Sequence, residues 1–378
     1  MKIVVAPDSF KGSLSAQNIC DITETAAKKI LGDVEIIKVP MADGGEGTVE
    51  SVLDALNGTA EIATVSNPLG KKIQSNYGFF GGTNAIMEMA SASGITLVTD
   101  DERDIFAQNT YGTGEMILDA INKGAKKIYI GIGGSATNDG GIGFASAIGI
   151  DFIDKNGEKV NPIPQNFKLI ADFDDSNVDP RIKDTEMIIM SDVSNPLLGE
   201  TGATYVFGRQ KGAVDNNIDI LEDGMSHYAK VLEEKLGRDI KSIKGAGAAG
   251  GLGAGLLAFT NAKMQSGVET IIDIVSLKEH LNGADLAITG EGMMDFQSAF
   301  GKVAAGVGGA CKEQNIPCVA IVGSMGKNAE AMYDYGITSI ITTVNGVMDI
   351  DKAINNAHEL AFSTLERMFK IIKIGQSL

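Results

Sequence analysis

Residues 1–58 read MKIVVAPDSFKGSLSAQNICDITETAAKKILGDVEIIKVPMADGGEGTVESVLDALNG, and their pattern decides the fold class. Residues 2–6 (KIVVA) form a short continuous apolar run, as expected of a strand buried on both faces of a parallel sheet. A loop containing Pro7, Gly12 and Ser13 follows. Ile19, Ile22, Ala26 and Ile30 then recur at helical spacing, and Gly32 supplies a C-terminal stop. Residues 34–39 (VEIIKV) repeat the strand pattern. Val49, Val52, Leu53 and Leu56 mark a second helix, ended by Asn57-Gly58. The order β-loop-α-β-loop-α predicts a wound α/β domain.

The same grammar returns near the C-terminus. Residues 285–289 (DLAIT), 318–322 (CVAIV) and 338–344 (TSIITTV) read as strands, with helices near 302–314 and 328–335 between them. A final helix near 351–372 places Ile354, Ala357, Ala361, Leu365, Met368 and Ile372 on one stripe. The middle differs. Short strand-like pieces fill 60–88, with turns at 67–70 and 81–82. A helix near 113–122 leads to strands at 127–132 and 187–191, and residues 154–186 read as a polar surface excursion. The expectation is two α/β domains. Residues 1–65 plus 283–378 form a discontinuous Rossmann/flavodoxin-like wound sheet, and 66–282 form an inserted α/β domain, with the active site in the cleft between them.

Composition narrows the class. The chain has 378 residues, 44% hydrophobic and 21% charged, enough for two cored domains. A net charge of −17 argues against nucleic acid and anionic membrane as partners. Three scattered cysteines, Cys20, Cys311 and Cys318, fit a reducing compartment, and the start lacks the apolar run of a signal peptide. A cytoplasmic location is therefore expected, with monomer and homodimer left open. The three histidines lie outside the glycine loops, which removes Ser-His-Asp and zinc-site readings.

Four glycine-rich segments carry polar chemistry: 42–48 (ADGGEGT), 133–141 (GGSATNDGG), 245–251 (GAGAAGG) and 289–292 (TGEG). Glycine lets main-chain N–H groups approach a ligand closely. Carboxylates repel phosphate but bind Mg²⁺, which in turn binds phosphate. The stretch 131–141 follows a strand and precedes a helix. Gly133, Gly134, Ser135, Thr137 and Asp139 are therefore the phosphate-cradle candidates, whereas 245–255 reads equally as close helix packing. Ser9-Phe10-Lys11-Gly12-Ser13 joins strand to helix and offers a cation and a hydroxyl, though it is no Walker A motif. Asp192 ends a strand, and Pro196 turns the chain after Asn195. Arg209 and Lys211 sit in a glycine-flanked loop suited to anions. Asp295 and Lys302 follow the TGEG stretch.

The ordered set APDSFKGSLSA (6–16), MADGGEGT (41–48), GIGGSATNDGG (131–141), SDVSNPLLGETGATYVFGRQKGA (191–213), GAGAAGGLG (245–253) and TGEGMMDFQS (289–298) resembles the bacterial type I glycerate kinase family. It departs from that family in having Ser191, Arg209 and Val303-Ala304 where Cys, Pro and Ala-Pro are frequent. The resemblance implies Mg²⁺- and ATP-dependent phosphorylation of glycerate, with 2-phosphoglycerate favoured. On that basis Asp43, Asp192 and Glu291 are expected to hold Mg²⁺. Asp192 is expected to act as base, with Asp295 as runner-up, and Lys11 and Lys211 to stabilise the transferring phosphoryl group. Asp43, Ser13, Asn195 and Arg209 are expected at the substrate, and Lys302 joins the 133–139 residues at the nucleotide. Two alternatives stay open: a kinase for another small hydroxy acid, and a non-catalytic nucleotide-binding regulator.

Overall fold

The computed structural model describes residues 1–299 and 301–377. Strands β1 (Lys2–Val5) and β2 (Glu35–Lys38) open the chain. The middle holds β3 (Thr59–Ser66), β4 (Lys72–Phe80), β5 (Asn84–Glu88), β6 (Lys127–Gly131), β7 (Asp151–Ile153), β8 (Asp172–Asp174), β9 (Glu186–Met190) and β10 (Lys263–Gln265). The chain closes with β11 (Leu286–Met294), β12 (Cys318–Met325) and β13 (Ser339–Thr342). Two compact units result. The first is Met1–Asp43, Glu50–Gly58 and Ser266–Leu378; the second is Gly44–Val49 and Thr59–Gln265.

The first unit carries one sheet ordered β13-β12-β11-β1-β2, with every neighbouring pair parallel. Counted by appearance within the unit, that order is 2-1-3-4-5, the flavodoxin-like winding. The order reverses between β1 and β11, so the C-terminal ends of those two strands form the switch point. Ile3, Val5, Leu286, Ile288 and Ile321 pack from the sheet against Ile19, Ile22 and Ala26 of the helix Ala16–Leu31. Ala361, Leu365 and Phe369 of the last helix complete this core. The helix Ala16–Leu31 starts with a capping box in which Ser15 accepts from the Asn18 N–H.

The second unit holds a six-stranded mixed sheet, β10-β9-β6-β5-β4-β3, and a small β7-β8 pair. β3, β4 and β5 run antiparallel; β5, β6, β9 and β10 run parallel. Within this unit the segments 131–141 and 245–255 interlock by backbone contact. A Cβ on Gly250 would lie 2.0 Å from the Thr137 carbonyl oxygen, and one on Gly251 would lie 2.7 Å from Gly140 Cα. Gly140 donates its N–H to the Gly250 carbonyl (2.9 Å). Of the two readings open for 245–255, close packing is the one built into this unit.

Several expectations need correction. Residues 59–65, assigned from the pattern to the first domain, all pair with β4 and belong to the second unit's sheet. Residues 266–282, expected in the inserted domain, belong to the first unit, where Val268 packs against Gly306. The supposed surface excursion at 154–186 buries Phe167, Ile170, Phe173 and Ile182 in the second unit's core. Its apolar residues stand singly among polar ones, so no periodic pattern announces them. The helix expected near 328–335 is a 3₁₀ segment, Ala329–Tyr335. The last helix is broken at Asn356, whose side chain donates to the Lys352 carbonyl (2.7 Å), leaving Ile350–Asn355 and Ala357–Gly375 as separate pieces. Among the described residues no helix is long and apolar enough to cross a membrane.

Gly250 has φ +66°, a region that costs a residue with a side chain. Gly250→Ala adds a backbone clash to that cost. The denaturant midpoint should fall by the equivalent of more than about 2 kcal/mol at an unchanged m value. An unaltered midpoint would show that the loop pair yields without cost.

Candidate active site

Beyond β1 the chain keeps its partner strand for three more residues. Ala6 N–H donates to the Ile288 carbonyl (2.7 Å), and Asp8 N–H donates to Gly290 (2.9 Å). Thr289 Oγ1 donates to the Ala6 carbonyl (2.9 Å), and Met41 N–H donates to Pro7 (3.0 Å). These bonds carry Asp8 to the carboxyl edge of the sheet, with Glu291 on the adjoining strand. The stretch Thr289-Gly290-Glu291-Gly292, read as a loop from the sequence, lies inside β11 and pairs with β12. Gly290 is required there: a Cβ would fall 2.1 Å from the Ile321 carbonyl oxygen. Strand alternation then sends Glu291 and Met293 to the same side.

A cavity of about 650 Å³ opens at this edge of the first unit. Asp8, Lys11, Asp43, Glu291 and Lys302 line it together with Ser9, Ser13 and Ser324, and Asp349 adds a further carboxylate beside Ile350. Of the residues singled out from the sequence, Lys11, Ser13, Asp43, Glu291 and Lys302 meet here. Lys11 is exposed at the cavity's rim, whereas Ser13 spends its hydroxyl on the Phe10 carbonyl (2.8 Å). Asp295 does not line the cavity; its carboxylate accepts from the Gln297 N–H (2.8 Å) and holds a turn.

Asp8 was not picked out as a site residue from the sequence, although its place directly after the first strand was a readable signal. It is only 7% exposed and accepts from the Ser9 N–H (2.7 Å). Burial, with Asp43 nearby, pushes its carboxyl pKa up to about 7. Glu291 is also raised by burial, partly offset by Ser298 and Lys302, whose Nζ lies 3.4 Å from Oε2. Glu291 Oε1 is buried with no hydrogen-bond partner among the described residues. Four carboxylates, Asp349 included, against two lysines leave the cavity short of positive charge.

That shortfall is the test of whether Mg²⁺ fits. Among the described residues no group of three His, Cys, Asp or Glu side chains is arranged to hold a metal. Mg²⁺ does not need such a cage, because it binds through one or two carboxylates and completes its shell with water and substrate phosphates. A raised Asp8, an orphaned Glu291 oxygen and two lysines suited to phosphate match that requirement.

The remaining expected residues lie in the second unit. Gly133 and Gly134 are exposed at the turn after β6, but Ser135, Thr137 and Asp139 are buried. Asp139 accepts from Thr110 N–H and Oγ1 (both 2.7 Å), Gly141 N–H (3.2 Å) and Gly143 N–H (3.1 Å). Its buried carboxylate is committed to Thr110 and to the backbone of its own loop, which corrects its reading as a nucleotide contact. Lys211, expected at the phosphoryl group, is 2% exposed and donates to the Thr137 carbonyl (2.8 Å). Burial lowers its pKa to about 7 against the opposing pull of Asp139. It is placed to hold the 131–141 segment from inside. Asp192 is exposed just past β9. Asn195 donates to the Thr201 carbonyl (2.7 Å), and Arg209 pairs with Asp215 (3.0 Å).

A flavodoxin-like sheet with acids and lysines gathered at its switch point defines a wound α/β phosphotransferase class. The chain belongs to the glycerate kinase family, whose model matches residues 3–373. It is 43% identical over 359 residues to a glycerate kinase of Halalkalibacterium halodurans, covering 95% of this chain and 94% of that one. It is 42% identical over 360 residues to glycerate 2-kinase of Escherichia coli, covering 95% and 94% respectively. A crystal structure from Salmonella typhimurium LT2, assigned as a glycerate kinase 2, superposes with a TM-score of 0.92 at 38% identity over 100% of both chains.

The strain at Asp8 is measurable. An acid whose folded pKa stands above its unfolded value binds extra protons when folded, so stability falls as pH rises from about 4 to about 7. Asp8→Asn keeps the acceptor oxygen and removes the charge. The ligand-free variant should melt higher than wild type at pH 8, by on the order of 5 °C, with the gap closing near pH 4. An equal or lower Tm at pH 8 would mean that the cavity does not strain this carboxylate.

Proposed function

We propose that this chain catalyses ATP-dependent phosphorylation of glycerate, with 2-phosphoglycerate as the product. The observation that carries the reading is the set Asp8, Asp43 and Glu291 facing Lys11 and Lys302 in one cavity of a kinase-family chain. In the reaction the glycerate hydroxyl oxygen forms a bond to the γ-phosphorus, the bond to the ADP oxygen breaks, and the hydroxyl proton leaves to a carboxylate. Such transfer depends on positioning and charge neutralisation more than on covalent chemistry.

Lys11 and Lys302 offset negative charge on the phosphoryl oxygens, as point charges do on phosphate. Asp8, Asp43 and Glu291 are the residues of this unit that would hold Mg²⁺, which supplies charge neutralisation to the phosphates when bound. Asp43 also serves glycerate. The exposed Gly133-Gly134 turn offers main-chain N–H groups to an anion. Asp192 receives the hydroxyl proton, and Asn195 and Arg209 belong to the acid substrate's contacts. Lys211, Thr137 and Asp139 act by shaping the 131–141 segment.

Product identity is read by ³¹P and ¹³C NMR after incubation with glycerate, ATP and Mg²⁺, and a panel of other hydroxy acids run beside it tests the substrate. A proton-coupled ³¹P doublet, from the lone hydrogen on C2, is expected, and a triplet, from the CH₂ at C3, would overturn the regiochemistry. Lys11→Ala should lower kcat/KM by at least about tenfold, near 1.4 kcal/mol of transition-state stabilisation. Asp192→Asn should reduce kcat by about a hundredfold or more in a folded protein. Near-normal kcat would remove Asp192 from both base and metal roles and leave the chemistry to the first unit's carboxylates.

A further inference from the structure

The cavity has a second side of opposite character. Met293 and Val344 line it together with Ile350, Ala353 and Ile354 of the Ile350–Asn355 helix and Ala357, the first residue of the next helix. Ile354 and Ala357 belong to the stripe read from the sequence as core, but the break at Asn356 leaves only Ala361, Leu365 and Met368 of that stripe buried. Ile350 is 74% exposed and Met293 53% exposed, so this apolar surface is open rather than packed. Such an exposed apolar wall, rimmed by polar residues, marks a ligand surface.

Neither glycerate nor a phosphate chain can use it. Glycerate is a three-carbon hydroxy acid without an apolar face, and triphosphate carries charge throughout. The cavity volume is also that of a drug-sized ligand rather than a three-carbon acid. Of the reactants required by the function proposed above, on which this inference rests, only the nucleotide offers a flat, weakly polar ring.

We infer that the wall formed by Met293, Val344, Ile350, Ile354 and Ala357 seats the purine base of ATP in the first unit, with Lys11 and Lys302 at the phosphate end of the same cavity. The phosphates then lie toward the strand ends and the base toward the Ile350–Asn355 helix. Base recognition rests on apolar contact; Asp349, which caps the Ile350–Asn355 helix and also lines the cavity, accepts from the Lys352 N–H (2.7 Å).

Calorimetry with ADP and with inorganic pyrophosphate, each with Mg²⁺, separates the base contribution from the phosphate contribution. Wild type should bind ADP at least about tenfold more tightly than pyrophosphate. In Ile350→Ser and Ile354→Ser that preference should shrink by about tenfold, while pyrophosphate affinity stays within about twofold. Ile350 is exposed, so its replacement leaves the core intact, and a matching Tm checks this. An equal loss for ADP and pyrophosphate, or an unchanged ADP preference, would overturn the assignment. So would a variant that altered only the KM for glycerate, or one that changed the sedimentation of the chain instead, which would make the wall a contact with a second copy. Wild-type turnover of glycerate, measured alongside, reports on the proposed function separately. A chain that prefers ADP at this wall yet phosphorylates no glycerate keeps the inference and loses the substrate.

Discussion

The parallel pairing of β1 with β11 joins parts of the chain that lie 283 positions apart, with Thr289 Oγ1 donating to the Ala6 carbonyl across the join. Closing that pair excludes water from Ile3, Val5, Leu286 and Ile288 at once. Because parallel strands share direction, their C-terminal ends finish side by side. Asp8 and Glu291 reach one edge for that reason, and the strand order reverses between them. A ligand site at that crevice follows from the winding.

The charge pattern at the crevice runs against stability. Burying Asp8 and Glu291 near Asp43 is unfavourable without a cation, and the raised pKa of Asp8 expresses that cost. A fold selected for stability alone would place apolar side chains there. In the proposed reaction a metal–phosphate complex would neutralise them. The exposed lysine at position 11 has the same logic in reverse. It is solvated in the free protein, and its proposed role begins only against phosphoryl charge.

In the second unit the ruling constraint is steric. Gly140, Gly141, Gly250, Gly251 and Gly255 bring two backbone segments closer than any Cβ permits. Within the 131–141 segment Asp139 accepts from the backbone and Lys211 donates to the Thr137 carbonyl, while Thr137 Oγ1 and Asn138 Oδ1 are buried with no partner among the described residues. A segment with the composition of a phosphate cradle thus presents only Gly133 and Gly134 to solvent. Glycine content alone does not distinguish close approach to a ligand from close approach to another backbone.

The sequence by itself determined the local elements of the first unit, the parallel class of its sheet and the family. Continuous apolar runs specify buried strands, and the motifs keep their order whatever the fold does. It also singled out Lys11, Asp43, Glu291 and Lys302, which line one cavity, because acids and lysines next to strand ends are legible locally. Tertiary structure alone decided that β3 joins the second sheet, that Asp8 is buried beside Asp43, and that Asp139 and Lys211 point inward. It also decided that the last amphipathic stripe splits at Asn356, leaving Ile354 on a cavity wall. Each of these depends on which long-range partner covers a residue. Burial, and with it the pKa of a carboxylate or the role of a lysine, is set by neighbours distant along the chain.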